Sequence, residues 1–441
     1  MTRFSKVGFV LATAGSAIGL GGIWKFPYLV GENGGAAFVL IFVLAFLIFG
    51  MSVFMLEMLF GRHTRQNAIS TFEMLSPHKA RFLRFGGLMV VSGVLIFSFY
   101  AVVLGWLLHY LFLSIFGMPI TLDGTKQLWE NFFTNELFWQ FLWHFIIVLL
   151  CALVLSKGIK KGIEKLNLIL MPLLLFIFLG LLVYSATQSA FVDSFFFLFD
   201  FDFSKITAKV VVEAIGQAFF ALSIGVGVIL TYSNSLPRNG NFVRYAIYVA
   251  LMNFLFCLVA GLVIFTFIFG YGAEPSSGPG LVFISLPLIF ANMGVAGQVI
   301  AFLFFVALVF AGITSAVSML EPMNACLIER KKISRKKANL ITICAAYLLG
   351  VIALLSNSAD FGAYLSFFGR NVFSWLDYIT ATFLLPLAGV FLCIYGGWIL
   401  PKTKMYAMCE GKLQGKAFEI WYFIIKYIAP LGIISAMISL I

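Results

Sequence analysis

A chain of 441 residues that is 62% hydrophobic and only 11% charged, with 52 phenylalanines, carries more apolar surface than a water-soluble domain buries. Its formal charge of +11 raises nucleic-acid binding as a function. The placement of the charges argues against it, because basic residues crowd alternate connections between long apolar runs, the pattern that sets membrane topology.

A membrane-spanning helix needs about 20 apolar residues. Segments of that kind are predicted near 7–30, 36–60, 85–115, 138–156, 165–187, 210–235, 242–271, 298–328, 336–356, 374–398 and 418–440. They make an all-α membrane protein of eleven spans in a single domain, 1–441. Arg3 and Lys6 precede the first span with no small-residue cleavage site after them, so no cleaved signal peptide is expected. The basic connections hold Arg62, Arg65, Lys79, Arg81 and Arg84; Lys157, Lys160, Lys161 and Lys165; Arg238 and Arg244; Arg330 through Lys337; and Lys402, Lys404, Lys412 and Lys416. The other loops hold Asp123, Glu130, Glu136, Asp193, Asp200 and Asp202. By the positive-inside rule the N-terminus is cytoplasmic and the C-terminus outside, in a plasma (inner) membrane. Cys151, Cys257, Cys326, Cys344, Cys393 and Cys409 show no paired spacing, and His63, His78, His109 and His144 have no ligand partners at helical spacing. Neither disulfides nor a metal cluster is expected, and no nucleophile–base set or phosphate-binding glycine loop supports an enzyme.

The first span is interrupted. Gly15, Gly19, Gly21 and Gly22 fall near its middle and Pro27 near its end. Each glycine costs a helix up to about 1 kcal/mol relative to alanine, and proline removes a donor. Broken backbone at membrane depth is tolerated where it lines a protein-buried cavity or a binding site. The alternative is a close helix–helix contact through small residues.

The sixth span repeats the theme over 214–233, with Gly216, Ser223, Gly225 and Gly227. If five spans form a unit, the two breaks occupy matched places in halves 7–187 and 210–398, with an extra helix at 418–440. An odd number of spans per half sets the halves in opposite orientations, as in sodium-coupled transporters built on inverted repeats. In the eighth span Ala311-Gly312-Ile313-Thr314-Ser315-Ala316 places two hydroxyls at mid-membrane. Such hydroxyls either bond back to a carbonyl one turn earlier or coordinate a hard cation, which takes oxygen ligands.

The first span, Ala-Gly-Ser-Ala-Ile-Gly-Leu-Gly-x-Ile-Trp-Lys-Phe-Pro-Tyr from Ala14, with Glu32-Asn33-Gly34-Gly35-Ala36-Ala37-Phe38 after it, resembles the neurotransmitter:sodium symporter family. So do Gly216-Gln217-Ala218-Phe219-Phe220-Ala221-Leu222-Ser223, Lys161-Gly162-Ile163-Glu164-Lys165, Ala311-Gly312-Ile313-Thr314-Ser315 and Trp375-Leu376-Asp377-Tyr378. The match is collinear over almost the whole chain and resembles the bacterial eleven-span branch. It implies a leucine-transporter-like fold, alternating access, and inward symport of an amino acid driven by Na⁺. The implied partners are that small-molecule substrate and membrane lipid, with no nucleic acid and no evident soluble protein partner.

Residue by residue, the resemblance implies a second sodium site of the carbonyls of Gly15, Ile18 and Ala311 and the hydroxyls of Thr314 and Ser315. The substrate would lie against Ser16, Ala17, Leu20 and Gly21, its carboxylate on the amides around Leu20 and Gly21 and on the Tyr100 hydroxyl. Ala17, Phe220 and Ser223 would hold the ammonium group. Ile96, Phe220, Val226, Ser315 and Met319 would line the side-chain pocket. Gly19 stands where monoamine carriers of the family have an aspartate, so the substrate should bring its own carboxylate. A neutral, mid-sized to large hydrophobic amino acid is expected. Lys25 and Asp377 match the outer gate; Glu329, with Arg3 as its candidate partner, matches the inner one, Phe4 replacing a tryptophan. Gly162 and Pro172 match the pattern that lets the fifth span unwind.

The chain departs from the family at the first sodium site. Gly22 replaces an asparagine and Ala221 a threonine or serine, leaving Ala17, Ala221 and Asn253, so one Na⁺ per substrate is expected. Phe42, Ala221 and Cys257 beside Gln217 are poor anion ligands, so transport should be chloride-independent. Rival readings are a proton-coupled or sodium-independent carrier of the same fold, and a non-transporting amino-acid receptor.

Overall fold

The computed structural model describes residues 4–76, 86–87, 89–236, 240–272 and 280–439, and helices make up most of it. Each predicted span has a helical counterpart. The first is two pieces, α1 (Lys6–Ala17) and α2 (Gly21–Glu32), bent by 50° at the break. Ser5 starts α1 by accepting the Gly8 amide on its hydroxyl, and Ile18, at φ −81° and ψ 75°, leaves the helical region and ends it.

The second and third spans are α3 (Ala36–Thr64) and α5 (Met89–Phe116), with the short α4 (Ala68–Leu75) between them. After α6 (Leu122–Thr134) come α7 (Leu137–Ser156) and α8 (Ile159–Ala186), then α9 (Phe191–Phe199). α8 begins before the predicted 165, because a π-helical turn, Ile159–Glu164, precedes its regular part. Gly35, at φ +65°, starts α3; a Cβ there would lie 2.5 Å from the Phe197 carbonyl oxygen, so only glycine fits.

The sixth span is α10 (Ala208–Ala221) and α11 (Val228–Ser233). Between them Ser223, Gly225 and Gly227 take φ of +52°, +84° and +80°, a left-handed run that ends one helix and redirects the next. The remaining helices are α12 (Phe242–Gly270), α13 (Leu281–Asn292), α14 (Gly294–Lys331), α15 (Arg335–Leu355), α16 (Val372–Ile399), α17 (Lys402–Met408) and α18 (Gly415–Ile438). Strands β1 (Ser366–Phe367) and β2 (Arg370–Asn371) pair antiparallel before α16. Among the described residues nine helices are long and apolar enough to cross a membrane, or ten with α1 and α2 as one bent span. The pieces of the sixth are too short for that test, because the break divides it.

Small residues bring the helices together, as expected where lipid supplies no hydrophobic drive between them. A Cβ on Gly93 of α5 would run into the Met319 carbonyl of α14, and one on Gly312 of α14 would strike Leu104. α5 and α14 therefore lie close along each other, with the α1/α2 and α10/α11 breaks facing each other beside them. The Gln217 amide donates to the Gly21 carbonyl at 2.6 Å, and Ser223 Oγ donates to the Ser16 carbonyl at 2.8 Å.

Candidate site between the two helix breaks

Breaking a helix frees carbonyls and amides that must find partners. Here the partners come from the neighbouring spans. Every residue predicted to hold the substrate lines one small cavity, from Ser16, Ala17, Leu20 and Gly21 through Ile96, Tyr100, Phe220, Ser223 and Val226 to Ser315 and Met319. Its volume is about 30 Å³. Leu385 of α16 also lines it and was missed, because nothing about a leucine before a proline in an apolar span marks it as a wall of this cavity.

At one end the Leu20 amide donates to the Tyr100 hydroxyl at 3.3 Å. A Cβ on Gly19 would lie 2.5 Å from Ser315 Oγ and 3.1 Å from Tyr100 Oη, so position 19 accepts no side chain without displacement. Gly21 is under the same pressure, with Phe220 2.5 Å from where its Cβ would be. The glycines thus do two things: they break the helix, and they let its backbone approach the neighbouring side chains.

Beside this end lies an oxygen cluster. Ser315 Oγ is within hydrogen-bond reach of two carbonyl oxygens, Gly15 at 3.0 Å and Ser16 at 3.1 Å. Thr314 Oγ1 donates to the Ala311 carbonyl at 2.9 Å. Gly15, Ala311, Thr314 and Ser315 are therefore brought together, and Ile18 sits at the break itself. Thr314 bonds back within its own helix, as the plainer reading of the sequence had it, while Ser315 reaches across to α1. The donor set is all oxygen and the residues are buried, which suits a hard cation.

Where the resemblance implies a first sodium site, the structure holds a hydrogen bond. Asn253 Nδ2 donates to the Ala221 carbonyl at 2.6 Å, and Cys257 Sγ lies 3.5 Å from Asn253 Oδ1. A Cβ on Gly22 would be 3.1 Å from Cys257 Sγ, so the thiol occupies room a larger residue at 22 would need. Ala17 lines the small cavity described above.

A second cavity of about 500 Å³ lies on the side of Lys25 and Asp377 and shares Leu20, Gly21, Tyr100 and Phe220 with the first. Those four residues form the floor between the two. The predicted Lys25–Asp377 ion pair is not made. Lys25 Nζ instead lies 4.7 Å from the centre of the Phe220 ring, a cation–π contact. Both charges line the larger cavity.

At the other end, Arg3 lies outside the described residues. Glu329 holds Asn67, the residue that caps α4, by accepting from its backbone amide at 3.0 Å and from its Nδ2 at 2.7 Å. Phe4 is buried edge-on to Tyr232, ring centres 5.2 Å apart. Sequence reasoning quoted Glu164 as part of a motif and gave it no role. The structure has its Oε1 accept from both Ser5 N, at 3.0 Å, and Ser5 Oγ, at 2.5 Å, which ties the start of α1 to α8. The signal was present in the serine just before the first apolar run, a helix-capping residue.

Comparison with known proteins agrees with this arrangement. The sodium:neurotransmitter symporter family matches over residues 2–132 and 133–441. The chain is 36% identical to an uncharacterized sodium-dependent transporter, YhdH, of Bacillus subtilis strain 168, over 99% of this chain and 97% of that one. It is 26% identical to the sodium-dependent dopamine transporter of Bos taurus, over 86% of this chain and 60% of the relative. The crystal structure of MhsT in complex with L-phenylalanine superimposes with a TM-score of 0.90 at 34% identity, covering 100% of both chains. This predominantly helical, multi-pass membrane chain therefore belongs to the sodium:neurotransmitter symporter family, whose members are secondary transporters coupled to Na⁺ and not enzymes.

Proposed function

We propose that the chain takes up a neutral, hydrophobic amino acid, aromatic or branched, with one Na⁺ per substrate and without chloride. The observation that carries the reading is the closed position at Gly19, beside Tyr100 and the Leu20 amide. No acidic side chain fits there to meet a bare amine, while the freed amides and the Tyr100 hydroxyl are suited to a carboxylate. Val226, Ile96, Met319 and Leu385 give the pocket an apolar wall. The phenylalanine bound in MhsT supports the same substrate class.

The sodium ion is assigned to Gly15, Ile18, Ala311, Thr314 and Ser315. Asn253, already engaged with Ala221, acts as a hydrogen bonder between helices, and the first site stays weak. The Lys25–Asp377 side faces outward and the Ser5–Glu329 side inward, with the N-terminus cytoplasmic and the C-terminus outside. Access alternates between these sides as two inverted halves, 7–187 and 210–398, rock against each other.

The test is uptake of labelled phenylalanine, leucine, glycine and glutamate into proteoliposomes under an inward sodium gradient, with choline as the replacement cation. Uptake of the first two, lost in choline and first-order in sodium, is the expected result. Accumulation of only glycine or glutamate, or uptake second-order in sodium, overturns it.

A further inference from the structure

α1 and α8 meet along a seam in which two oxygens have no hydrogen-bond partner. Asn167 is 0% exposed; its Nδ2 donates to the Ile163 carbonyl at 2.9 Å, which fixes Oδ1 as the free atom, and that atom is buried and unpartnered. It presses on Gly15 so closely that a Cβ on Gly15 would collide with it. Glu164, 3% exposed and three residues earlier, gives Oε1 to Ser5 and leaves Oε2 buried and unpartnered. It presses in the same way on Gly8. Residues three apart share a helix face.

Burying an acceptor with no partner costs free energy, so each such atom calls for an explanation. Two on one seam, running from Gly15 toward the end of α1 that Ser5 caps, share a chemistry: both are hard oxygens, Asn167 Oδ1 set against Gly15 and Glu164 Oε2 on the carboxylate whose other oxygen holds Ser5. Gly15 is also a carbonyl ligand in the proposed sodium site. The seam lies between Gly162 and Pro172, where α8 has a π-helical turn before a proline-containing stretch, features that weaken its backbone ladder.

We propose that Asn167 Oδ1 and Glu164 Oε2 form a transient cation station that takes Na⁺ from the site at Gly15, Ala311, Thr314 and Ser315 and passes it toward the Ser5 end. This rests on the sodium site assigned above. An ion leaving five oxygens for a dry interface would meet a high desolvation barrier; an amide oxygen next to Gly15 and then a carboxylate lower it. The oxygens stand unpaired between transits because a hydrogen bond there would have to break for each ion. Asn167 here touches the ion in transit and sets its rate of exit, not its equilibrium affinity.

The test follows sodium dissociation in the purified full-length protein by tryptophan fluorescence after rapid dilution into choline, alongside the sodium midpoint in thermal shift. Asn167→Leu and Asn167→Ala are expected to slow dissociation at least fivefold while moving the midpoint less than threefold. Asn167→Asp, which keeps an oxygen at that place, restores the rate; a packing role alone would leave it as slow as Asn167→Leu. Glu164→Gln, which retains an acceptor for Ser5, slows dissociation at least threefold and serves where an Asn167 variant does not fold. Unchanged dissociation in the folded variants, or an Asn167→Asp rate equal to that of Asn167→Leu, overturns the proposal. Wild-type protein with no sodium response at all overturns the assigned sodium site instead, so the two failures are distinct.

Discussion

Ser315 Oγ lies 3.0 Å from the carbonyl oxygen of Gly15, a residue 300 positions away in the chain. The contact joins the eighth span to the break in the first, and it exists because α1 stops at Ile18 and leaves its last carbonyls without helical partners. A hydroxyl and a carbonyl this close present the edge of an oxygen shell. Replacing both Thr314 and Ser315 with alanine removes every side-chain oxygen from the proposed sodium site. We expect the double variant to lose its sodium-dependent thermal shift and its sodium-driven uptake. Retention of either at wild-type midpoint refutes the assignment.

The Asn253→Ala variant separates stability from ion binding. Asn253 Nδ2 donates to the Ala221 carbonyl at 2.6 Å in a fully enclosed setting, and losing the donor leaves that carbonyl unsatisfied. The cost is about 1–3 kcal/mol of stability. With one ion bound elsewhere, the sodium midpoint should move little and the Hill coefficient stay near one. A steep loss of sodium affinity without loss of melting temperature would instead place an ion at Asn253.

How much of this was legible in the sequence depends on the kind of interaction. The breaks at 18–20 and 222–227 were readable because glycines cluster within a few residues at matched places in the two halves, and the motif residues around them converge on one cavity. The positions of charged groups were less readable. Lys25 stands over Phe220 and not beside Asp377, a choice of partner by a long side chain that no spacing encodes. The Ser5–Glu164 tie joins groups 159 residues apart and carries no local pattern beyond the cap. Span ends shifted for a related reason: α14 runs on to Lys331 because helix continues past the apolar stretch that hydropathy detects.

Chloride should be dispensable. Gln217 already donates to the Gly21 carbonyl, and Phe42, Ala221 and Cys257, at the other positions the resemblance assigns to an anion site, carry no charge or hydroxyl to hold an anion. Replacing chloride with gluconate on both sides of the vesicle is expected to leave sodium-driven uptake within the scatter of the assay. A clear fall on replacement contradicts this, and recovery on adding chloride back would identify the anion as the cause.

The outer pair offers a test of closure. Lys25 and Asp377 line the same cavity of about 500 Å³ without touching, and Lys25 rests on Phe220, a wall of the proposed substrate cavity. If the pair forms only when the cavity closes over substrate, neither charge stabilises the open form through the other. Asp377→Asn should then leave the melting temperature without substrate unchanged. It should lower the uptake rate at least tenfold, because closure loses its charge-assisted contact; buried pairs broken on one side cost about 3–5 kcal/mol, and exposed ones about 0–1 kcal/mol. Lys25→Met should do the same and also loosen Phe220, weakening substrate binding as well as slowing uptake. The double variant Lys25→Met/Asp377→Asn should be no slower than Lys25→Met alone, since each single change has already removed the pair. Additive losses in the double variant would show that the two residues act separately, and would sink the gate reading for both.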